Sequence, residues 1–382
     1  MTSEQAQILA SVQALLARRL PTAEIRRRDA AHIPPYDLLP EMGQAGLFAL
    51  AVPVAEGGLG GDWATVALVQ DALGQHAYMA ASIFNRVVGF GLATIRAHGS
   101  PAQREEILPL LMAGRAFCAL ALTEPQAGSD AAAIRTRATR HEGGWRINGR
   151  KTWISDAEGA RWLILPARTG PEATGARGIS LFLVPTATPG IAMTRLPKVG
   201  NNCMPSFDIG LDDVELPADA LLGEEGRGFA QMMSTLHFSR ASMAATVTGA
   251  AEAALRIALA HAQDRVQFGQ PIGRFQAIAH RLVDMRMRVD QSRLMVRHLA
   301  QLIDQGAPCR REAAQAKIIA TETLRDVADA GMQIMASAGY SAESDMQRLW
   351  RDSRLYTFGE GANEVLRDSI AREMGLTARG TA

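Results

Sequence analysis

The hydrophobic period of this chain changes twice, and few folds allow that. Long apolar stripes at helical spacing run to about residue 116. Short alternating runs divided by turn residues replace them near Phe117, and helical stripes return from Phe229. In the first part Ile8, Val12, Leu15 and Leu16 form one stripe, and Leu38, Leu39 and Met42 begin another. Residues 57–61 (Gly-Gly-Leu-Gly-Gly) interrupt them; lacking the full Gly-x-Gly-x-x-Gly pattern, they read as a surface turn and not a dinucleotide cradle. Helical patterning over 65–98 is closed by Gly99 and Pro101. The middle part predicts strands at 136–140, 145–147, 161–167, 179–184, 191–196 and 207–211, with a turn at Gly143-Gly144 and a hairpin signal at Asn148-Gly149. The last part predicts helices at 229–265, 275–305, 311–337 and 344–355, and another from Asn363. Leu282, Met285, Val289 and Val296 share one face, as in bundle packing. At 382 residues the chain exceeds what one core can hold. The expected fold is α+β and mostly α: an N-terminal helical domain (1–116), a small β-barrel or sandwich domain (117–226) and a C-terminal four-helix-type bundle (227–382).

Forty basic and 39 acidic residues nearly cancel, which argues against nucleic acid or an anionic membrane as partner and favours a small or apolar ligand. The cysteines, Cys118, Cys203 and Cys309, are scattered and odd in number, so neither a disulfide framework nor a metal cage is expected, and a reducing cytoplasm suits them. No apolar run approaches the roughly 18 residues of a membrane span. The first segment has no signal-type apolar core, although Arg26-Arg27-Arg28 keeps an organelle-targeting reading open.

Three stretches carry chemistry. Residues 358–364 (Phe-Gly-Glu-Gly-Ala-Asn-Glu) set a lone carboxylate, Glu360, between glycines at a helix entrance. That leaves it uncrowded and free to meet a substrate, though the same residues also suit an ordinary helix N-terminal turn. Residues 122–130 (Leu-Thr-Glu-Pro-Gln-Ala-Gly-Ser-Asp) form a loop whose backbone N–H groups and hydroxyl could hold phosphate or carbonyl oxygens, or simply turn the chain between domains. Residues 151–155 (Lys-Thr-Trp-Ile-Ser) place an aromatic and a hydroxyl on one side of a strand; from the residues alone, Trp153 is a core residue.

Taken in order, these stretches resemble the acyl-CoA dehydrogenase family over nearly the whole chain. Residues 122–130 match its first signature. Residues 333–340 (Gln-Ile-Met-Ala-Ser-Ala-Gly-Tyr), with Glu343 and Arg348, look like the second. Residues 265–272 (Arg-Val-Gln-Phe-Gly-Gln-Pro-Ile), with Phe275-Gln276, are similar to the family's Arg-x-x-Phe-Gly-x-x-Ile…Gln segment, and residues 360–364 resemble its catalytic Glu-Gly-Thr-x-(Gln/Glu). The resemblance implies an FAD cofactor, an acyl-CoA or acyl-carrier-protein thioester as substrate, electron-transfer flavoprotein or a similar acceptor, and a homo-oligomer, tetramer or dimer. It implies that Leu120, Leu122, Thr123, Gly128 and Ser129 meet the flavin and thioester, with Trp153, Ile154 and Ser155 beside the isoalloxazine ring. Arg265, Gln267, Phe275 and Gln276 would contact FAD. Gln333, Ala336 and Ser337 would reach the adenosine–pyrophosphate end of a cofactor in a neighbouring subunit, and Ala362 and Glu364 would approach the cofactor. Ser129, His237, Arg240 and Gly361 would lie by the substrate.

Removing the α-proton of a thioester needs a desolvated carboxylate and donors for the developing enolate oxygen. The resemblance makes Glu360 that base; the alternative position in some relatives is here Ser239, which cannot accept the proton usefully at neutral pH. His237, where relatives often carry an acid, could tune a pocket or bind a polar acyl group, but the residue by itself favours a surface or core-satisfied histidine. Gly359, Ala336, Ala362 and residues 202–205 (Asn-Cys-Met-Pro) depart from the family pattern. Rival readings are an oxidase of a carrier-protein-bound hydroxyacyl or aminoacyl group, a reduced-flavin monooxygenase, which has no need of Glu360, and a non-catalytic flavin-binding protein.

Overall fold

The computed structural model describes residues 1–376; residues 377–382, the end of the segment expected as 227–382, lie outside the described residues. The chain opens with α1 (Ser3–Arg19), whose first turn is closed by a reciprocal Thr2–Gln5 capping box and whose Val12, Leu15 and Leu16 are buried. Then come α2 (Thr22–Ala31), α3 (Leu39–Gln44), α4 (Trp63–His76), α5 (Tyr78–Asn85), a π-helical stretch Arg86–Leu92, α6 (Ala93–His98) and α7 (Pro101–Met112). Ser100 and Gln103 form a second capping box around Pro101, which tolerates the first helical turn because its missing N–H would be unpaired there anyway.

The middle strands are β1 (Cys118–Leu120), β2 (Arg137–His141), β3 (Gly144–Ser155), β4 (Trp162–Arg168), β5 (Ile179–Pro185), β6 (Ile191–Leu196), β7 (Ser206–Pro217) and β8 (Leu221–Leu222). They make one eight-stranded sheet in the order β6-β7-β3-β2-β4-β5-β8, with β1 parallel to β4. The turn at Gly143-Gly144 is present, and β2 pairs with β3 from His141↔Gly144 to Arg137↔Asn148. Asn148-Gly149 is not a hairpin turn, contrary to the expectation. β3 runs straight through it and the register against β7 shifts between Ile147 and Gly149, so the pair forms a bulge, with Gly149 at φ +152°.

From Gly228 the chain is helical: α8 (Gly228–Asp264), α9 (Gln276–Asp304), α10 (Arg310–Met335), α11 (Ser337–Tyr340), α12 (Asp345–Tyr356) and α13 (Asn363–Glu373). α8, 37 residues long, is the spine: it packs on α4, α9 and α10. Its buried face is dominated by small side chains, Ala241, Ala244, Ala245, Ala251, Ala254 and Ala258 among them, which lets neighbouring helices approach closely. Leu282, Met285, Val289 and Val296 of α9 are buried as their spacing predicts, each contributing about 1.5–3 kcal/mol of burial. Among the described residues two helices, Tyr78–His98 and Gly228–Asp264, are long and apolar enough to cross a bilayer, contrary to the sequence expectation. Both are mostly buried, as core helices are. The three cysteines are free and buried.

Candidate active site

α12 ends at Tyr356, and the loop to α13 is pinned at both ends: Gly359 N–H donates to the Leu355 carbonyl (2.8 Å) and Asn363 N–H to the Thr357 carbonyl (2.9 Å). At its apex Glu360 adopts a left-handed backbone, φ +53°, between Gly359 and Gly361. That conformation costs a non-glycine residue roughly 1–2 kcal/mol and persists only where surroundings impose it.

Glu360 is gripped by side chains, not uncrowded as the sequence suggested. Ser239 of α8 donates its hydroxyl to Oε2 at 2.6 Å, and Asn85 Nδ2, at the end of α5, lies 3.4 Å from Oε1 and 3.3 Å from Ser239 Oγ. Asn85 reaches this position because residue 89 is glycine: a Cβ there would stand 1.9 Å from Asn85 Oδ1. Burial pushes the Glu360 carboxyl above the ordinary carboxylate range, opposed by the Ser239 hydrogen bond and the charges of Arg86, Arg240 and Lys317. A carboxyl so poised is a stronger proton acceptor than an exposed one. Arg240, on α8, has a buried Nε with no hydrogen-bond partner among the described residues, and burial lowers its guanidinium's proton affinity against the pull of Glu360. Half-buried His237 stacks on Phe238 with ring centroids 4.0 Å apart, and burial lowers its pKa.

Arg86 and Tyr78 stand near this carboxylate and are themselves held by further contacts. Arg86 donates to Asp156 at 2.9 Å and to the Met204 sulfur at 3.3 Å. The Tyr78 and Tyr356 rings pack 4.8 Å apart, and the Tyr356 hydroxyl donates to Asn201 Oδ1.

A second wall comes from the loop at 122–130 and the end of β3. Thr152 N–H donates to the Thr123 carbonyl (2.9 Å), and Lys151 Nζ reaches the Leu122 carbonyl (3.3 Å) and Glu124 Oε1 (2.8 Å). Glu124 also accepts from the Arg135 and Thr136 amides and from Gln126. Burial works against this carboxylate, but Lys151 and those donors hold it at about 2; burial pulls Lys151 down to about 8 against the attraction of Glu124. The pair is a fully buried foundation for the loop above it.

Trp153 is not core: it is 55% exposed, its backbone is left-handed at φ +58°, and the β3–β7 register breaks between Lys151 and Ile154. That break ends the alternation on which the core reading rested. Ile154 is buried and Ser155 is half-buried. Leu120, Leu122 and Thr123 are half-buried, whereas Gly128 and Ser129 are exposed.

The structure thus brings residues 122–124 against 151–152, and Glu360 with Gly361 against Ser239 and Arg240. Arg265, Gln267, Gln276, Gln333, Ala336, Ser337 and Glu364 are all exposed on the surface of the chain; Phe275, Gly361 and Ala362 are half-buried. Arg265 leads into a small hairpin (Val266–Gln267 against Gln270–Pro271) whose tip, Phe268, is 93% exposed. Sequence reasoning missed Asn85, Arg86 and Lys317. Their signal was a polar residue inside an apolar helical run: Asn85 after Ser-Ile-Phe, and Lys317 amid Ala313, Ala314, Ala316 and Ala320.

Solved structures of the same architecture are FAD-dependent dehydrogenases and their relatives. Butyryl-CoA dehydrogenase from Megasphaera elsdenii superimposes with a TM-score of 0.94 at 31% identity, covering 98% of each chain. PigA, solved with FAD and proline, gives 0.92 at 27% identity, again over 98% of each chain. The chain is accordingly an FAD-dependent oxidoreductase of the class acting on CH–CH groups. Models of the acyl-CoA dehydrogenase N-terminal, middle and C-terminal domains match residues 2–115, 119–214 and 226–375. The probable acyl-CoA dehydrogenase YngJ of Bacillus subtilis is 38% identical over 341 residues, 89% of this chain and 90% of that one. This chain belongs to the acyl-CoA dehydrogenase family.

The residues present suit such a flavin. The exposed Trp153 indole offers a flat face beside the loop at 122–130, and among the described residues beyond its chain neighbours no heavy atom lies within 4 Å of where a Cβ on Gly128 would stand, so the backbone there is open to close approach.

Proposed function

We propose that the protein converts an acyl thioester to its α,β-unsaturated form, with Glu360 as the base. The observation that carries this is the Glu360 carboxyl itself: held on a strained loop, its oxygens near the Ser239 hydroxyl and the Asn85 amide, and made more basic by burial. Glu360 takes the α-proton onto a carboxylate oxygen while the β-hydrogen leaves with its electron pair and the C=C bond forms. Bound FAD supplies the acceptor for that pair. Residues 120–129 and 153–155 would flank the flavin, Ala362 and Glu364 would approach it, and Ser129, His237, Arg240 and Gly361 would line the thioester arm. Arg265, Gln267, Phe275 and Gln276 would hold the rest of FAD. Gln333, Ala336 and Ser337 would complete the site of a second copy, which makes a homo-oligomer, tetramer or dimer, part of the proposal. The exposure of the 265 and 333 segments in a single chain supports it. Electron-transfer flavoprotein or a similar acceptor would reoxidise the flavin in the cytoplasm, and the domains would divide at 116/117 and 226/227.

A second reading is favoured by Asn85, Arg86 and Tyr78: this polar surround suits a short acyl group bearing a hydroxyl or amine, on CoA or a carrier protein, better than a long apolar chain. An anaerobic screen of short acyl thioesters, on CoA and on carrier protein, decides between them by which one bleaches the flavin. Absence of bleaching by every thioester, polar or apolar, defeats both.

A further inference from the structure

Lys317 of α10 has no exposed surface, yet it carries an ammonium. Its Nζ donates to the Gly361 carbonyl at 2.7 Å and to Asn363 Oδ1 at 2.9 Å. Asn363 is itself tied back to the same helix, its amide donating to Thr321 Oγ1 (3.1 Å) and Glu322 Oε1 (3.3 Å). A buried cation is expensive to desolvate, and a methionine would fill this space without that expense, so stability alone gives a poor reason for a lysine here. Geometry gives a better one. Glu360 sits between two glycines, the residues with the greatest backbone freedom, so its left-handed conformation must be imposed from outside. Among the described residues, Lys317 is the side chain that hydrogen-bonds the backbone of residues 359–361.

Resting on the reading of Glu360 as base, we propose that Lys317 is a positioning residue for α-proton removal. Its charge-assisted bond to Gly361 locks the glycine after the base, so that the Glu360 carboxylate is held facing the thioester. The charged groups around it are Glu360, Arg240, Glu364 and Glu322. Burial draws its ammonium down to about 8 against the attraction of the carboxylates, so the lock weakens as the solution becomes alkaline.

Acetyl-CoA and acetyl-pantetheine separate this role from oxidation. The acetyl group has α-hydrogens but no β-carbon, so the holoenzyme can only exchange those hydrogens with solvent, read in D2O by NMR or mass spectrometry. Lys317→Met is expected to slow exchange by about tenfold to a hundredfold, the scale of a displaced reacting group, with FAD content unchanged. The wild-type rate is expected to fall as the solution becomes alkaline through about pH 8, where Lys317 loses its proton, and Lys317→Met is expected to abolish that fall. Wild-type exchange in an FAD-replete Lys317→Met enzyme overturns the role of Lys317 while leaving Glu360 intact. Absence of exchange in the wild type overturns the base assignment and this role with it. If Lys317→Met does not fold, Lys317→Gln, a neutral and shorter donor, must still slow exchange by about tenfold; an unchanged rate in that variant refutes the proposal.

Discussion

Replacing Ser239 with alanine removes the donor closest to the proposed base. Its hydroxyl lies 2.6 Å from Glu360 Oε2, whereas the remaining donor, Asn85 Nδ2, is a long 3.4 Å from Oε1 and cannot take over. A hydrogen bond to a charged group contributes about 1.5–3 kcal/mol, and it favours the ionised carboxylate over the protonated acid. Since one pH unit corresponds to about 1.4 kcal/mol, the loss should move the acid limb of kcat/KM upward by about one to two pH units. The sign follows from the carboxyl's role. Burial already raises it above its ordinary range; losing a donor raises it further, less of it is ionised at a given acid pH, and the activity that needs the ionised form fades sooner as pH falls. Once the solution is alkaline enough to ionise Glu360 fully, Ser239→Ala should reduce flavin at nearly the wild-type rate. Anaerobic stopped-flow reduction across a pH series reads both features. An acid limb that stays in place, or moves downward, would refute the idea that Ser239 tunes Glu360.

Glu360→Gln should keep its FAD and helical spectrum but reduce flavin about a thousandfold more slowly or worse, since an amide cannot accept the α-proton; near-normal turnover in single-turnover kinetics rules Glu360 out as base. Arg265→Ala should lose about 2–5 kcal/mol of FAD affinity if the exposed guanidinium meets a pyrophosphate, and the ratio of flavin to protein absorbance after purification shows whether it does. Glu124→Gln strands Lys151, whose side chain has no exposure, and should cost about 3–5 kcal/mol in urea unfolding at neutral pH. The wild-type carboxyl is held below its ordinary value, at about 2, so the pair's contribution is present above the usual carboxylate range and fades as pH falls toward 2; the variant's stability should fall less steeply over that range.

The helices of the C-terminal part were legible because their stripes are long and face a common core: α9 and α10 begin and end within a residue or two of the expected bounds. The Asn148-Gly149 signal misled because a glycine that suits a tight turn also suits a bulge, and only the partner strand, β7, decides between them. Trp153 misled for a related reason: strand alternation predicts an inward side chain only while the register holds, and it breaks at that residue. Glu360 stood out from its glycine flanks, but the groups that hold it did not. Asn85, Ser239 and Lys317 lie far apart in the chain and converge only through helix packing, and a single buried polar residue in an apolar run does not announce what it faces.

The π-helical stretch Arg86–Leu92 sits directly after Asn85. A π turn holds about one residue more than an α turn, so such a segment behaves as a helix that has absorbed an insertion without breaking. Deleting one residue between 87 and 92 would let the chain relax to regular α-helix and would rotate everything N-terminal to it by about 100° about the helix axis. Asn85 would swing away from Glu360 while α6 stayed in place. The orientation of that amide is therefore recorded in the length of the helix as well as in the identity of residue 85, and the number of residues between Asn85 and α6 becomes a countable marker of whether a related chain can present this group to its carboxylate.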